Sequence, residues 1–357
     1  MTRPIRQALI IFALLCGVAC PVVASAQGGD DEAMRDQTQR CIDNAMRFLI
    51  SQAQGDGSIG NEPQNRNAMT ALTVMAMVAV GHQPTDHTPE GKLLRDALNF
   101  ILRDDRQSDE GYYGYSDGSR MYGHGITTLM LCEMMGMGID DTQDALIQER
   151  AQKAIDLILR SQRIRKREDR YNGGWRYDPD SRDSDLSVTV WQLMALRAGK
   201  AGGLDVPSEA IDEAVAYLER SYREVGREQG GFGYEPGQSP RYATTAAGML
   251  AMLVCGEYEH EQVAGASQYL VAHPPTDNRN DTWFYYGTYY YAMGMYQVGG
   301  GHADDAEREV FAALSRSQQN NGSWTSNHFH ERNPVYATCM AVLALSVRHH
   351  FLPIYQR

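Results

Sequence analysis

One pattern constrains this chain more than any other. An amphipathic helical stretch leads into a turn built on glycine or an aromatic residue. A polar loop follows, and then a helix that is apolar nearly all round. The first copy reads as a helix over 32–53, with Cys41, Ala45, Phe48 and Leu49 on one face, a break at Gly55-Asp56-Gly57-Ser58, and a second helix over 67–80. Five further copies pair 91–103 with 121–137, 144–162 with 186–198, 208–224 with 244–254, 259–271 with 287–295, and 305–318 with 338–347. Apolar residues three and four apart mark the first helix of each pair as half-buried, and an apolar surface on all sides marks the second as fully buried. The turn landmarks Gly57, Gly111, Gly174, Gly231, Thr282 and Ser323 stand 54, 63, 57, 51 and 41 residues apart, room for two helices and two loops. The fold expected is therefore all-α: a closed (α/α)6 toroid over 32–357, buried helices inside and amphipathic helices outside. An open solenoid is the competing arrangement; it would need polar capping repeats at its ends.

The start of the chain reads differently. Arg3 and Arg6 precede an apolar run from Ala8 to Cys20 and the small residues Ala24-Ser25-Ala26, the grammar of a secretory signal cut after Ala26. Residues 27–31 then read as a flexible leader, and the protein as periplasmic or secreted. The apolar run is too short for a transmembrane helix, and no later stretch is long enough without a glycine or charge, so no integral membrane segment is expected in the mature chain. The net charge of −12 falls to about −14 without Arg3 and Arg6, which argues against nucleic acid as a partner. Cys41, Cys132, Cys255 and Cys339 lack metal-binding spacing; buried core thiols are the default reading and pairing is left open. No cofactor is expected.

Function concentrates where the six inner helices begin. In a toroid their first turns share one end of the ring. At matching offsets the copies supply Asn67, Tyr122-Gly123-His124, Asp185-Leu186-Ser187, Tyr242-Ala243-Thr244, Tyr286-Gly287-Thr288 and Tyr336-Ala337-Thr338. Thr, Ser and Asp there are ordinary helix caps and tyrosines fill gaps between helices. His124 and Asp185 exceed what a repeat consensus asks for, and across a cavity they would form an acid–base pair. Asp183 lies in the same acidic loop. Trp191, Trp283, Phe284, Tyr285, Tyr289, Tyr290 and Met293 would enrich the wall below, suited to an apolar or cationic ligand or packed as core. Tyr122, Trp191, Tyr242, Tyr286, Tyr290 and Tyr336 are accordingly the candidate ligand-binding residues. His328-x-His330-Glu331 has metal-like spacing but no third ligand nearby, so no metal site is expected.

Two copies carry a family resemblance. Leu157–Gln162 with Gly174-Trp175, and Ala313–Gln318 with Gly322-Ser323-Trp324, resemble the repeats of squalene–hopene cyclases and protein prenyltransferase β subunits. The resemblance covers essentially the whole chain after the signal and implies an α/α toroid. In the cyclases an Asp-x-Asp-Asp motif protonates an alkene; the matching positions here are Asp183-Ser184-Asp185-Leu186. The resemblance thus implies an isoprenoid- or lipid-like ligand, with Asp185 as acid and Asp183 and His124 as support. The zinc ligands of the prenyltransferases have no counterpart around Tyr242-Ala243-Thr244 and Ala337. Two alternatives stand beside this reading: a non-catalytic toroid that binds a protein or envelope component, and a six-hairpin glycosidase or lyase using paired carboxylates at the mouth.

Overall fold

The computed structural model describes residues 24–276, 283–349 and 352–355. Helices α1 (Ala24–Ser51), α3 (Pro89–Ile101), α5 (Asp141–Gln162), α7 (Ser208–Ser221), α9 (Glu261–Ala272) and α11 (Gly301–Ser315) make an outer ring. Helices α2 (Arg66–Ala79), α4 (Arg120–Glu133), α6 (Leu186–Ala201), α8 (Tyr242–Val254), α10 (Phe284–Val298) and α12 (Pro334–Leu345) make the inner one. Each inner helix packs on the next, and α12 returns to pack on α2, so the ring is closed as the sequence predicts. Burial follows the two patterns. Every residue of α2 from Asn67 to Ala79 is buried, whereas α5 buries a stripe through Ile147, Ala151, Ala154, Ile155 and Ile158. Each fully buried Ile, Leu, Val or Met side chain among these contributes about 1.5–3 kcal/mol.

The repeated turn is a fastening between neighbouring repeats. Gln162 closes α5; its side-chain amide donates to the carbonyl of Gly173 in its own turn (3.0 Å) and to that of Ala210 on the next outer helix (2.8 Å). Gln107 does the same for Gly111 and Arg150. Gln318 does it for Gly322 and for Cys41 at the start of the chain, which locks the last repeat to the first. The glycines are required: Gly173 has φ +84°, and a Cβ there would collide with the carbonyl oxygen of Glu213; Gly322, at φ +87°, stands in the same relation to Asn44. A second fastening ties turn to inner helix. The N–H of Ile59, Trp175, Phe232 and Trp324 donates to the hydroxyl of Thr70, Thr189, Thr245 and Thr338 at 3.0–3.1 Å.

Several boundaries differ from expectation. α1 is helical from Ala24, through the stretch that the sequence assigns to a leader; the rest of the signal segment lies outside the described residues, as do Asp281 and Thr282 of the fifth turn. α7 stops at Ser221 and gives way to an antiparallel hairpin, β1 (Tyr222–Gly226) with β2 (Gln229–Phe232), where a helix to residue 224 is expected. Val225 and three glycines at 226, 230 and 231 favour an extended ribbon over another helical turn. At the far end of the ring a short 3-10 turn, Pro353–Tyr355, lies against α6, and the Ile354 N–H donates to buried Glu133 (3.1 Å). Among the described residues no helix is long and apolar enough to cross a membrane, and the four cysteines are unpaired.

Candidate functional site

The N-termini of the inner helices open onto one end of the ring, and their free N–H groups need acceptors there. α6 and α12 are capped by their own Asp185 and Asn333. Others borrow from the following loop. Asp117 accepts from the Asn67 N–H of α2 (2.7 Å), and Glu331 from the Tyr286 and Tyr285 N–H groups of α10 (2.8 and 3.3 Å). The carbonyls of Tyr177 and Tyr234 accept from Met121 and Leu186 (both 2.9 Å). The loops are thus pinned over the mouth by the helix ends themselves.

Asp185 is the most constrained acid in this mouth. Its side chain is fully buried. Oδ1 accepts from the Val188 N–H (3.0 Å) and the Ser187 hydroxyl (2.7 Å), and Ser187 is bonded in turn to the Tyr122 hydroxyl. Oδ2 makes no hydrogen bond of ordinary geometry; the Arg176 guanidinium, Nε at 3.9 Å, and the Tyr234 hydroxyl face it. Burial raises its pKa to about 6 against the pull of these hydrogen bonds and of Arg176. Arg176 also binds Glu235 (2.6 Å) and stands 3.6 Å from Asp183. Burial pushes the Glu235 pKa up, but Arg176 and the Tyr171 hydroxyl outweigh it and hold the carboxyl below its usual range. Asp183 is further paired with Arg167 (3.1 Å). Tyr177 and Tyr234 share a hydroxyl–hydroxyl hydrogen bond over this cluster, and Arg176 lies against both rings.

His124 is placed elsewhere. Its Nδ1 accepts from the Tyr113 N–H (3.3 Å) and its Nε2 bonds the Ala154 carbonyl (3.1 Å) on the outer helix α5. It fills the position of Thr70, Thr189, Thr245 and Thr338 in the second fastening, and burial drives its pKa down to about 3. Both nitrogens are consumed by structure, so the expected His124–Asp185 pair is not formed. Of the two roles open to the aromatic wall, Trp191, Tyr289 and Tyr290 take that of core. Trp191 stacks on Tyr289 (6.2 Å) and meets Tyr290 edge-on (5.8 Å); these side chains are 0–1% exposed. They form a packed floor. Tyr286 lies above it, 4.6 Å from Tyr290, while Tyr122, Tyr242 and Tyr336 are partly buried around the mouth. In the His328–Glu331 turn, Glu331 is spent on capping α10 and His330 stacks on Trp283 (5.0 Å). Among the described residues no group of three or more His, Cys, Asp or Glu could hold a metal.

Arg176, Tyr234 and Glu235 were not singled out by sequence, although a signal exists. Gly173-Gly174-Trp175-Arg176-Tyr177-Asp178-Pro179 and Gly230-Gly231-Phe232-Gly233-Tyr234-Glu235-Pro236 are the same seven-residue phrase in adjacent repeats. The shared Tyr–acid–Pro ending brings the two tyrosines together.

Fold and mouth together place this protein among α/α toroids. No family model and no curated protein matches the chain. Solved structures do. An α-1,6-mannanase of Salegentibacter sp. HEL1_6, in complex with α-1,6-mannotetrose, is 8% identical over 88% of this chain and 99% of its own, with a TM-score of 0.63. Rex8A from Paenibacillus barcinonensis, complexed with an arabinofuranosyl-xylotetraose, is 13% identical over 90% and 94%, with a TM-score of 0.57. The type II terpene cyclase MstE from Scytonema, at 15% identity over 89% of this chain and 99% of its own, reaches 0.41. At such identities likeness speaks for the fold alone.

Proposed function

We propose that this toroid binds an oligosaccharide at its mouth and hydrolyses it, with Asp185 as general acid and Glu235 as general base. One observation carries the reading: two carboxyls beside one guanidinium have their pKa values moved in opposite directions, Asp185 up to about 6 and Glu235 down. Such a split is how one site keeps a proton donor and an ionised base at the same pH. Asp185 gives its proton to the glycosidic oxygen as the bond to the anomeric carbon breaks. Glu235 takes a proton from the water whose oxygen joins that carbon, and exchange with solvent resets the pair. Tyr122, Tyr177 and Tyr234 offer hydroxyls and ring faces to a sugar. Because Asp185 is fully covered, Tyr234 parts from Tyr177 when substrate enters. Asp183, held by Arg167 and Arg176, positions the guanidinium. The mannanase and Rex8A structures hold saccharides, which supports the class of ligand.

An isoprenoid-like ligand, implied by the resemblance to terpenoid cyclases, has less support. The aromatic wall that would hold it is closed to water, and Leu186 stands where the cyclase motif has its last Asp. The test is release of reducing ends from mannan, xylan and glucan by wild type and by Asp185→Asn. The expected result is turnover of one polymer, lowered at least about 100-fold by the substitution. Turnover unaffected by Asp185→Asn removes the mechanism. No turnover and no binding of any of the three removes the saccharide reading in favour of a toroid that docks another macromolecule.

A further inference from the structure

We infer that the mouth carries a second saccharide-binding position, an aromatic platform made by Trp283, Phe329 and His330, so that the ligand is a chain running from Asp185 across Tyr286 to this platform. The inference rests on the saccharide reading and adds the extent of its ligand. Phe329 is the most exposed large apolar side chain among the described residues, at 66%. It is not on a loose tip. The turn that presents it is anchored by Glu331, whose carboxylate is wholly buried and accepts two N–H groups of α10. Thr325 donates to the Arg332 carbonyl (3.0 Å), and Tyr285 to the Thr325 carbonyl (3.1 Å), bracing the turn from its other side. A rigidly presented, exposed ring loses little entropy when a ligand covers it.

The neighbours of Phe329 define what would cover it. His330 lies 5.3 Å away by ring centre and stacks on Trp283, which holds a left-handed backbone (φ +66°) that a tryptophan seldom adopts. Trp283 meets Tyr286 edge-on at 6.2 Å. Tyr286 in turn packs on Tyr290 (4.6 Å), which meets Trp191 (5.8 Å) of α6, the helix that Asp185 caps. The rings therefore form a continuous row from the exposed Phe329 to the helix that Asp185 caps. Arg332 lies over Phe329 (4.6 Å), and both Arg332 and His330 are exposed with hydrogen-bonding capacity to spare. A pyranose presents a C–H face to an aromatic ring and a hydroxyl edge to such donors. An acyl chain would satisfy the rings and strand the donors, and a membrane surface calls for a wider apolar face than three rings on an acidic protein.

Affinity electrophoresis tests this, with mannan, xylan or glucan cast in native gels and wild type, Phe329→Ala and Phe329→Trp run together. Melting temperatures within a few degrees of wild type establish that the variants fold. The expected result is that one polymer retards wild type, that Phe329→Ala weakens the interaction about tenfold, equivalent to 1.4 kcal/mol, and that Phe329→Trp restores it. Equal retardation of all three proteins overturns the platform and leaves the function proposed for Asp185 and Glu235 intact. Failure of every polymer to retard wild type overturns both.

Discussion

Asp185 divides two tasks between two oxygens. Oδ1 caps α6, an office asparagine fills equally well; Oδ2 is held away from water without a hydrogen-bond partner of ordinary geometry. The two tasks separate in a titration. A carboxyl raised to about 6 in the folded chain favours folding below its unfolded value near 3.9, and that contribution is lost as pH climbs through 6. Asp185→Asn should therefore melt higher than wild type at pH 8, by on the order of 2 kcal/mol in stability. The gap should close below about pH 4, as read by thermal unfolding at a series of pH values. A variant that melts lower at pH 8 would mean that the ionised carboxylate is welcome in the fold, and the general-acid role would go with it. For the same reason hydrolysis should fall as pH rises above about 6 in wild type.

At the scale of the element, the turn and its two fastenings explain why some residues that looked chemical are structural. His124 is the case in point. It replaces the threonine used by four other repeats and makes the same bond to the turn. His124→Thr should fold. The smaller side chain leaves space between α4 and α5, for a cost of about 1–3 kcal/mol at pH 7.5. Its folded pKa lies below the unfolded one, so the wild-type histidine contributes stability above about 6.5 and loses it as pH falls towards 3. The cost of His124→Thr should thus shrink between pH 7 and pH 4.5, measured by chemical denaturation; a constant cost would mean that the buried ring does not resist protonation. Sequence alone exposed the helix pairs, because burial on one face or on all faces writes a different period into the chain. It could not show which face of α4 carries His124. A one-residue rotation about a helix decides between mouth and outer ring, and the repeat offsets do not resolve that. The hairpin at 222–232 escaped for a related reason: it interrupts the repeat without changing its length much.

For the whole molecule, closure is the property that turns six local hairpins into one cooperative unit. Gln318 reaches Cys41 across the seam, and Thr73 meets Cys339 there at 3.5 Å. Gln318→Ala removes the donor that the Cys41 and Gly322 carbonyls share across the seam, a cost of about 1–3 kcal/mol. A closed ring predicts that this appears as one lowered transition; an open solenoid would fray at that seam and show two. The mouth was legible as a place and mostly illegible as a mechanism. Asp185, like His124, was visible as a departure from the repeat, and the tyrosines as part of it. Arg176, Tyr234 and Glu235 were not, since their meaning lies in how two adjacent loops meet over Asp185.

The proposed function requires a sugar chain at this mouth against the Asp185 carboxyl. Asp185→Asn, which keeps the cap and removes the acid, allows this to be seen directly by soaking crystals of that variant with tetrasaccharides from mannan, xylan and glucan. The expected result is pyranose rings running from position 185 past Tyr286 to Trp283 and Phe329, with Tyr234 drawn away from Tyr177. Sugar density elsewhere on the ring, or a mouth still closed by the Tyr177–Tyr234 pair at saturating ligand, would contradict it.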